Sequence, residues 1–400
     1  MKQLLPLSGI RVLDLSRVMA GPLCAMALAD LGADVIKVEH PERGDDTRDW
    51  GLRIGQNNTS YFNSCNRNKR AVCIDLQDPE GQAVARELAG HSDIVIQNFK
   101  FGGAARMGLG YEDLSRDNPG LIYCSISGYS VLGDERSRPG YDLVVQGESG
   151  LMATNGEEGQ GPLKFGVAAV DMFTGMYSAQ AILAVLHERS RTGRGRHIQM
   201  SLYDSGMMIC SYYGLTAWVN KQDPAKFGNS HPSIVPYGVF EAADGPLVIA
   251  VGNNGQFKKF CTEVIRRPEL AIDPRFETNT ERSKHRHELL PQLEACIREH
   301  SREELLARLR VAGIPCGEVL GLYEAMRSQR TAQTQVLHHF DDPQAGEQAI
   351  HAPPYVMDGA RCAVRHTPPD LGQHTDEVLR ELLDMQPNRL QSLKASKVVR

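Results

Sequence analysis

Short apolar strand patterns alternate with helix patterns along the N-terminal part of the chain, and this alternation restricts the fold more than any other feature. Strand patterns occupy residues 10–15, 34–39, 72–76, 93–98, 121–126 and 197–204, and helix patterns occupy residues 22–31 and 79–90. Strands and helices that alternate at this spacing predict right-handed βαβ units and a parallel sheet. The predicted fold class is therefore α/β, with a Rossmann-like, doubly wound sheet.

Ligands of such sheets bind beyond the carboxyl ends of the strands. In this chain those ends are residues 16–20, 39–43, 98–101 and 127–129. The first turn, SRVMAGP, lacks the GxGxxG spacing that a dinucleotide pyrophosphate requires. Glu39 ends the second strand, as an acidic residue does in NAD sites, so an NAD-dependent enzyme is an alternative that rests on this residue alone.

The composition is that of an ordinary soluble protein. The charged fraction of 23% and the net charge of -5 argue against general nucleic-acid binding. The nine cysteines are scattered without CxxC pairs, so we predict reduced thiols, no metal site and a cytoplasmic location. The N-terminus lacks a signal-peptide pattern. Polar residues interrupt the apolar stretch after residue 171, which favours a core helix over a membrane span.

Changes in composition near residues 221 and 331 predict how the chain divides. We assign 1–220 to a large domain, 221–330 to a smaller α+β domain, and 331–400 to a C-terminal return to the large domain. Residues 239–252 show two strand patterns joined by Asp-Gly, which is typical of a β-hairpin. The polar stretch at 41–72 is too long for a simple connection, and we interpret it as a functional loop.

Asp171 is the only acidic residue between Phe165 and His187, among small or apolar neighbours. An unpaired charge in such surroundings is unfavourable, so this carboxylate needs a structural or a chemical reason. Residues 172–188 favour a helix, which puts Asp171 at a helix N-terminus, where free N–H groups and the dipole keep a carboxylate ionised. From the residues alone, a helix N-cap and a functional carboxylate both remain open.

A series of longer motifs runs along the whole chain. They read GIRVLDLSRVMAGPLCAMALADLGADVIKVE, GDDTR, NRNKR, NFKFGGAARMGL, RPGYDLVVQGESGLM, the Asp171 segment, TGRGRHIQMSLYD, GIPCG and PPDLGQHTDEVL. In this order they resemble the class III CoA-transferase (CaiB/BaiF) family, which includes formyl-CoA and carnitine CoA-transferases and has α-methylacyl-CoA racemases as relatives. The resemblance implies a Rossmann-like large domain built from both chain ends, a small domain between them, and an interlocked homodimer.

The resemblance also implies a mechanism, with Asp171 as the nucleophile. Its carboxylate attacks an acyl-CoA thioester to give a mixed anhydride, and CoA then returns to form an aspartyl-CoA thioester. An incoming carboxylic acid reverses the sequence. Such covalent catalysis needs an ionised carboxylate and a pocket that excludes water. The substrates are then acyl-CoA thioesters and a carboxylic acid, with no tightly bound cofactor.

The resemblance also implies, by position, which residues bind the adenine, ribose and pantetheine parts of CoA. These residues are Val18, Ala20, Ile74, Asn98, Phe99 and Arg106. His40 takes a position that is Arg in formyl-CoA transferase, and Gln77 takes one that is Lys. Both departures remove a phosphate contact, for which Lys69, Arg70 or Arg138 are candidates to compensate. Met19 replaces an active-site Gln of that enzyme, which argues against formyl transfer.

The transferase and racemase branches differ at Gly140-Tyr141-Asp142, where racemases resemble GHD. Racemisation needs a base on each face of the carbon, and His is suited to that role at neutral pH whereas Tyr is not. Tyr141 therefore favours CoA transfer. Asp142 either orients the nucleophile or the substrate, or forms an Asx turn.

A second carboxylate on the acceptor acid needs a partner that carries a positive charge or donates hydrogen bonds. Candidates are Arg48, Arg53, Arg67, Arg138, His231 and Ser233. Their number makes a dicarboxylate plausible, with succinyl-CoA as donor and itaconate, citramalate, glutarate or a hydroxymethylglutarate-like acid as acceptor. The alternatives are an acyl-CoA racemase or epimerase, a CoA-binding protein without catalysis, and the NAD-dependent enzyme already mentioned. Neither a nucleic acid nor a membrane is an expected partner.

Overall fold

A computed structural model describes residues 5–400, and its largest sheet has six parallel strands. In chain order the strands are β1 Arg11–Asp14, β2 Asp34–Glu39, β3 Lys69–Cys73, β4 Ile94–Gln97, β5 Ile122–Ser127 and β6 His197–Ser201. They lie in the order β3-β2-β1-β4-β5-β6, which is the strand order of a doubly wound sheet. The predicted parallel α/β sheet is confirmed.

Two of the predicted strands differ from the structure by three residues, and the other four agree to within one residue at each end. The predicted strand at 72–76 spans Lys69–Cys73, and Ile74, directly after it, forms an antiparallel bridge with Val399. The predicted strand at 197–204 ends at Ser201, whose hydroxyl accepts a hydrogen bond from the Asp204 N–H and caps the next helix. In both places, a local residue pattern continues past the point where tertiary hydrogen bonds end the strand.

Helices connect these strands and continue through the rest of the chain. They span Ala20–Asp30 (α1), Ser60–Ser64, Pro79–Gly90, Gly103–Arg106, Tyr111–Leu114, Asp142–Glu148, Leu151–Thr154, Ala169–Thr192, Leu202–Asn220, Asn254–Lys259, Pro268–Ile272, Asn279–Lys284, Arg286–Arg298, Arg302–Val311, Leu322–Arg327, Gln329–Thr334, Thr375–Leu383 and Pro387–Ala395, with a 3-10 turn at Asp46–Arg48 and a π-helix at Phe260–Val264. Three further two-stranded sheets pair Arg53–Ile54 with Asn58–Thr59, Leu337–Asp342 with Gly346–His351, and Val356–Met357 with Ala360–Arg361.

Both faces of the six-stranded sheet are covered by apolar cores. Successive side chains of a strand point to opposite faces, so Val12 joins one core and Leu13 joins the other. The first core contains α1 and the helix Ala169–Thr192, and the second contains the helix Pro79–Gly90 and the two C-terminal helices. Burial on both faces explains why the strands read as continuous apolar runs in the sequence.

The helix Ala169–Thr192, called the Asp171 helix below, is long and apolar enough to cross a membrane, although core helices meet the same criterion. Its residues Val170, Ala179, Ile182 and Val185 are buried in the first core. Gly175 allows α1 to approach closely, since a Cβ at this position would lie 2.6 Å from the Ala20 carbonyl oxygen. The Asp171 helix is therefore a core helix that packs against the six-stranded sheet.

The chain divides into two compact units. Among the described residues, the first comprises 5–152, 164–221 and 329–400, and the second comprises 153–163 and 222–328. In the second unit, Tyr237–Ala242 and Gly245–Ala250 form the predicted hairpin, and Cys316–Glu318 adds a third antiparallel strand. The sequence-based boundaries put residues 153–163 in the large domain, but the structure groups them with the second unit. There Lys226 donates hydrogen bonds to the Gln160 and Gly161 carbonyls.

Candidate active site

Asp171 lies in the first turn of its helix but does not cap it. The N-cap residue, Ala168, has no side chain that could accept a hydrogen bond. Asp142, from the helix Asp142–Glu148, caps the Asp171 helix instead. Its Oδ1 accepts hydrogen bonds from the N–H groups of Val170 (2.8 Å) and Asp171 (3.2 Å). The N-cap interpretation of Asp171 is therefore wrong. Its side chain stays available for chemistry, and Asp142 supplies the cap.

The Asp171 carboxylate is half-buried, and no hydrogen-bond partner for it appears within residues 5–400. Burial, and secondly the negative charge of Asp142, raise its pKa from 3.8 to about 7. Both effects disfavour the charged form, because water is excluded and a like charge is close. A carboxylate in this state is a stronger base than an ordinary surface Asp, and it is still ionised for a large fraction of the time at neutral pH.

Gln146 holds Asp142 in its capping position. Its Nε2 donates a hydrogen bond of 2.6 Å to Asp142 Oδ2, and its Oε1 accepts one of 2.8 Å from the Phe165 N–H. Gln146 is buried and lies one helical turn after Asp142. The sequence reasoning missed this residue. A polar side chain four positions after Asp142 in an apolar helix was the available signal.

Tyr61 is a second residue that the sequence reasoning missed as an individual, although it lies in the predicted functional loop. Burial raises the pKa of its phenol to about 12, and the charge of Asp171 is the next cause. Its ring meets the edge of Trp50, with the two centroids 5.9 Å apart. Tyr61 therefore stays protonated at neutral pH.

A cleft of about 180 Å³ opens beside Asp171. It lies at the carboxyl ends of β1, β4 and β5, where the strand order reverses and where doubly wound sheets bind ligands. The predicted site residues that line it are Val18, Ala20, Asn98, Phe99, Arg138, Tyr141 and Asp171. The structure thus brings most of the predicted catalytic and CoA-binding residues together at one cleft.

The loop after β1 forms one wall of the cleft in a strained conformation. Val18 has φ +72°, which is unfavourable for a β-branched residue. Its N–H donates to both carboxylate oxygens of Asp45 (3.2 Å each), and Asp45 forms a buried ion pair of 2.9 Å with Lys37. Asn98 holds the neighbouring Arg17, accepting from its N–H and donating to its carbonyl. These contacts maintain the loop against the strain of Val18.

The opposite wall comes from the loop that precedes Tyr141. Gly128, directly after β5, packs backbone to backbone against Gly140, and a Cβ on Gly128 would lie 2.6 Å from the Gly140 Cα. This close approach requires glycine at both positions. It places Tyr141 and Asp142 immediately beyond the end of β5, in reach of the Asp171 helix.

Three predicted CoA-binding residues do not line this cleft. Ile74 is fully buried in the second core. His40 lies at the end of β2, where its Nδ1 accepts hydrogen bonds from the backbone N–H groups of Glu42 and Arg43. Arg106 is exposed, and its guanidinium lies beside Gly102 and Gly103. The structure therefore separates these three positions from the Asp171 carboxylate.

Two predicted acceptor-binding arginines are engaged within the protein. Arg48 is buried, forms a bidentate ion pair of 2.7 Å with Glu39, and stacks on the Phe62 ring. Arg67 is also buried and pairs with Asp30. The remaining N–H groups of Arg48 also have partners, since Asn57, Asn58 and Pro369 accept hydrogen bonds from them, so the prediction that Arg48 binds the acceptor is wrong. Arg67 has N–H groups beyond the two that bind Asp30, and its role at the acceptor stays a prediction.

The remaining candidate cations are also occupied or lie elsewhere. Lys69 is buried and paired with Asp14, and Arg70 pairs with Asp34, Glu377 and Glu381, so neither compensates for a missing phosphate contact. Arg138 lines the cleft but is paired with Glu135 and Glu148, and Arg53 lies near Asp49. His231 belongs to the second unit, where its Nδ1 accepts from the Ser233 and Ile234 N–H groups.

The fold and the site together define an α/β protein with a desolvated carboxylate at the switch point of a doubly wound sheet. Comparison with known proteins identifies the class, since the model of CoA-transferase family III matches residues 7–375. The chain therefore belongs to CoA-transferase family III, as its motifs predicted, and it is a CoA-transferase.

Two relatives and one solved structure are similar over nearly the whole chain. Succinyl-CoA:glutarate CoA-transferase of Mus musculus is 37% identical over 98% of this chain and 90% of the relative. Succinate–glutarate CoA-transferase of Agrobacterium fabrum is 39% identical over 94% of this chain and 96% of the relative. A CAIB/BAIF family protein from Brucella suis has a TM-score of 0.84 and 38% identity, and covers 95% of this chain and 100% of its own.

Proposed function

We propose that this protein transfers CoA from succinyl-CoA to a dicarboxylic acid through an aspartyl-CoA thioester on Asp171. The observation that carries the proposal is the half-buried Asp171 carboxylate, without a hydrogen-bond partner among the described residues, beside the cleft at the switch point. The names of the similar mouse and Agrobacterium enzymes support succinyl-CoA as donor and glutarate as acceptor. Itaconate, citramalate and hydroxymethylglutarate-like acids remain candidates of the same chemical class.

The proposed reaction has four covalent steps. The Asp171 carboxylate attacks the thioester carbonyl of succinyl-CoA, which releases CoA thiolate and forms a mixed anhydride. The thiolate attacks the aspartyl carbonyl, releasing succinate and leaving the aspartyl-CoA thioester. The acceptor carboxylate attacks this thioester, releasing thiolate again and forming a second anhydride. The thiolate then attacks the acceptor carbonyl, which yields the new acyl-CoA and regenerates the Asp171 carboxylate.

The surroundings of Asp171 fit these steps. Burial and the Asp142 charge raise its pKa to about 7, and this destabilised carboxylate gains more from becoming an uncharged ester or anhydride than a solvated one does. Asp142 holds the first turn of the helix, so the attacking group is positioned before substrate arrives. Tyr141 lines the cleft where a racemase would carry a basic His, which favours transfer over α-proton exchange.

We also propose that the protein is a cytoplasmic homodimer. The Asp171 helix exposes Met172, Phe173 and Met176, and the helix Leu202–Asn220 exposes Trp218 to 83%. Exposed apolar side chains of this size on neighbouring helices are typical of an interface between subunits. A second copy of the chain is the proposed partner. Size-exclusion chromatography with light scattering tests it, and a monomer at micromolar concentration would contradict it.

The test of the proposed mechanism is the intact mass of the protein after incubation with succinyl-CoA. We expect the wild-type protein to gain the mass of CoA less one water, and Asp171→Ala to gain nothing. Asp204→Ala removes an exposed Asp from the first turn of another helix and should form the adduct like the wild type. CoA exchange into glutarate by the Asp171→Ala variant would refute the assignment. Incorporation of solvent deuterium at the α-carbon of the substrate, without CoA exchange, would indicate a racemase.

A further inference from the structure

Two fully buried ion pairs adjoin the loop that follows β1. Lys37 pairs with Asp45 and Lys69 pairs with Asp14, with 2.9 Å between nitrogen and oxygen in each pair. Removing charges from water costs as much as their mutual attraction returns, unless further hydrogen bonds satisfy their remaining atoms. The partners of those remaining atoms therefore indicate what the two ion pairs do.

The first ion pair holds the backbone directly after β1. Lys37 Nζ donates a hydrogen bond of 3.0 Å to the Ser16 carbonyl. Asp45 accepts hydrogen bonds from the Val18 N–H with both carboxylate oxygens, at 3.2 Å each. Each member of the ion pair therefore binds one backbone group, and the two groups lie two residues apart.

The second ion pair holds the start and the end of the same segment. Asp14 Oδ1 accepts a hydrogen bond of 3.0 Å from the Ser16 N–H, and Lys69 Nζ donates one of 2.8 Å to the Pro22 carbonyl. Residues 16–22, called the 16–22 turn below, are therefore held by four charged groups. Three of these groups lie in β1, β2 and β3, and the fourth lies directly before the 3-10 turn.

The 16–22 turn is part of the wall of the cleft beside Asp171. Val18, Met19 and Ala20 line this cleft together with Asp171. The φ of +72° at Val18 is unfavourable, so the surrounding contacts must maintain it. A displacement of about 1 Å in a group that aligns reactants can slow a reaction about a hundredfold. The position of this turn therefore bears directly on a reaction at Asp171.

We propose that Lys37 and Asp45 are positioning residues for CoA transfer, which hold the 16–22 turn where it aligns the thioester with Asp171. The inference rests on the proposed function. Both side chains are fully buried and neither lines the cleft, so they act through the backbone of Ser16 and Val18.

Two double variants test this role. Lys37→Met/Asp45→Leu replaces the ion pair by apolar side chains and leaves no acceptor for the Val18 N–H, whereas Lys37→Met/Asp45→Asn is also uncharged but keeps an acceptor. Removing both charges avoids the unpaired buried charge that a single replacement would leave. With succinyl-CoA and glutarate as substrates, and kcat referred to the protein that circular dichroism shows to be folded, the leucine variant should lose more than about thirtyfold in kcat and the asparagine variant about threefold. Equal values of kcat in the two variants would overturn the proposal.

Hydrogen–deuterium exchange followed by mass spectrometry reports on the 16–22 turn without turnover. Amide protons of the turn should exchange about tenfold faster in the leucine variant than in the wild type, and those of the helix Pro79–Gly90 at an unchanged rate. Unchanged exchange in the turn, or faster exchange with an unchanged kcat, would overturn the proposal. A wild-type protein that transfers no CoA would instead refute the proposed function, so the two failures are distinguishable.

The control is Arg189→Met, which removes a comparable ion pair at the opposite edge of the sheet. Arg189 pairs with Asp93 (3.0 Å) and donates to the Gly120 carbonyl (3.2 Å), and these partners precede β4 and β5. It should leave kcat and the exchange of the 16–22 turn unchanged, and a loss of kcat equal to that of the leucine variant would overturn the proposal. If the leucine variant does not fold, the asparagine variant decides alone, and wild-type values of both kcat and exchange would then overturn the proposal.

Discussion

Replacing Asp171 by Asn should stabilise the folded protein, and by more at alkaline pH than at acidic pH. The pKa of Asp171 is about 7 in the folded state against an ordinary value of 3.8. Between these values the folded state binds more protons than the unfolded state, so its stability decreases as pH rises. Relative to a side chain that stays neutral, Asp171 destabilises the folded state by about 4 kcal/mol at pH 8. At pH 5 the cost is about 2 kcal/mol, because the side chain is protonated in the folded state and ionised in the unfolded chain.

Urea unfolding at pH 5 and pH 8, followed by tryptophan fluorescence, measures this difference. The chain has two tryptophans, Trp50 and Trp218, and both lie in the unit that contains Asp171. The signal therefore reports on the unfolding of that unit. We expect Asp171→Asn to raise the free energy of unfolding at both pH values, with a gain about 2.5 kcal/mol larger at pH 8. These figures are upper estimates, because water that enters the cleft reduces the effect of burial.

The control is Asp204→Asn, which changes an exposed carboxylate and should give no pH-dependent difference. A destabilised Asp171→Asn protein at pH 8, or a gain that is the same at both pH values, would refute the reasoning. Either result would mean that the Asp171 carboxylate is as well solvated in the folded protein as in the unfolded chain.

Two further predictions concern the surroundings of Asp171. Gly175→Ala should destabilise the first unit by about 1–3 kcal/mol in the same urea assay, because its Cβ would lie 2.6 Å from the Ala20 carbonyl oxygen. The control Gly90→Ala should not destabilise the unit, because a Cβ at Gly90 would have no atom within 4 Å. Equal losses of stability in the two variants would disprove the close packing at Gly175. Asp142→Asn should move the acid limb of the pH profile of kcat/KM to lower pH, because the Asp142 charge raises the Asp171 pKa. An unchanged acid limb would show that the Asp142 charge does not raise the Asp171 pKa.

The sequence predicted the parallel sheet well because the signals are local. Each strand is a short apolar run followed by a turn and a helix, and burial on both faces of the sheet requires such runs. The hairpin at 239–252 was equally visible from its Asp-Gly turn and flanking strands. The limits of β3 were less visible, because the antiparallel bridge between Ile74 and Val399 joins residues that are far apart in the chain.

The charged residues of the site could be predicted only in part. Asp171 stood out because a lone acid in an apolar segment is visible from its neighbours. Arg48 looked free for a substrate because its partner, Glu39, belongs to the preceding strand, and no sequence pattern states that the two groups meet.

The sequence by itself determined the class of fold and the family, and it singled out Asp171, because apolar periodicity and short motifs depend on residues that are close together in the chain. Only the tertiary structure decided that Asp142 caps the Asp171 helix, that Gln146 holds Asp142, and which arginines are neutralised. Hydrogen bonds and ion pairs between distant segments depend on which side chains packing brings within a few ångströms. The electrostatic state of the Asp171 carboxylate therefore follows from the fold.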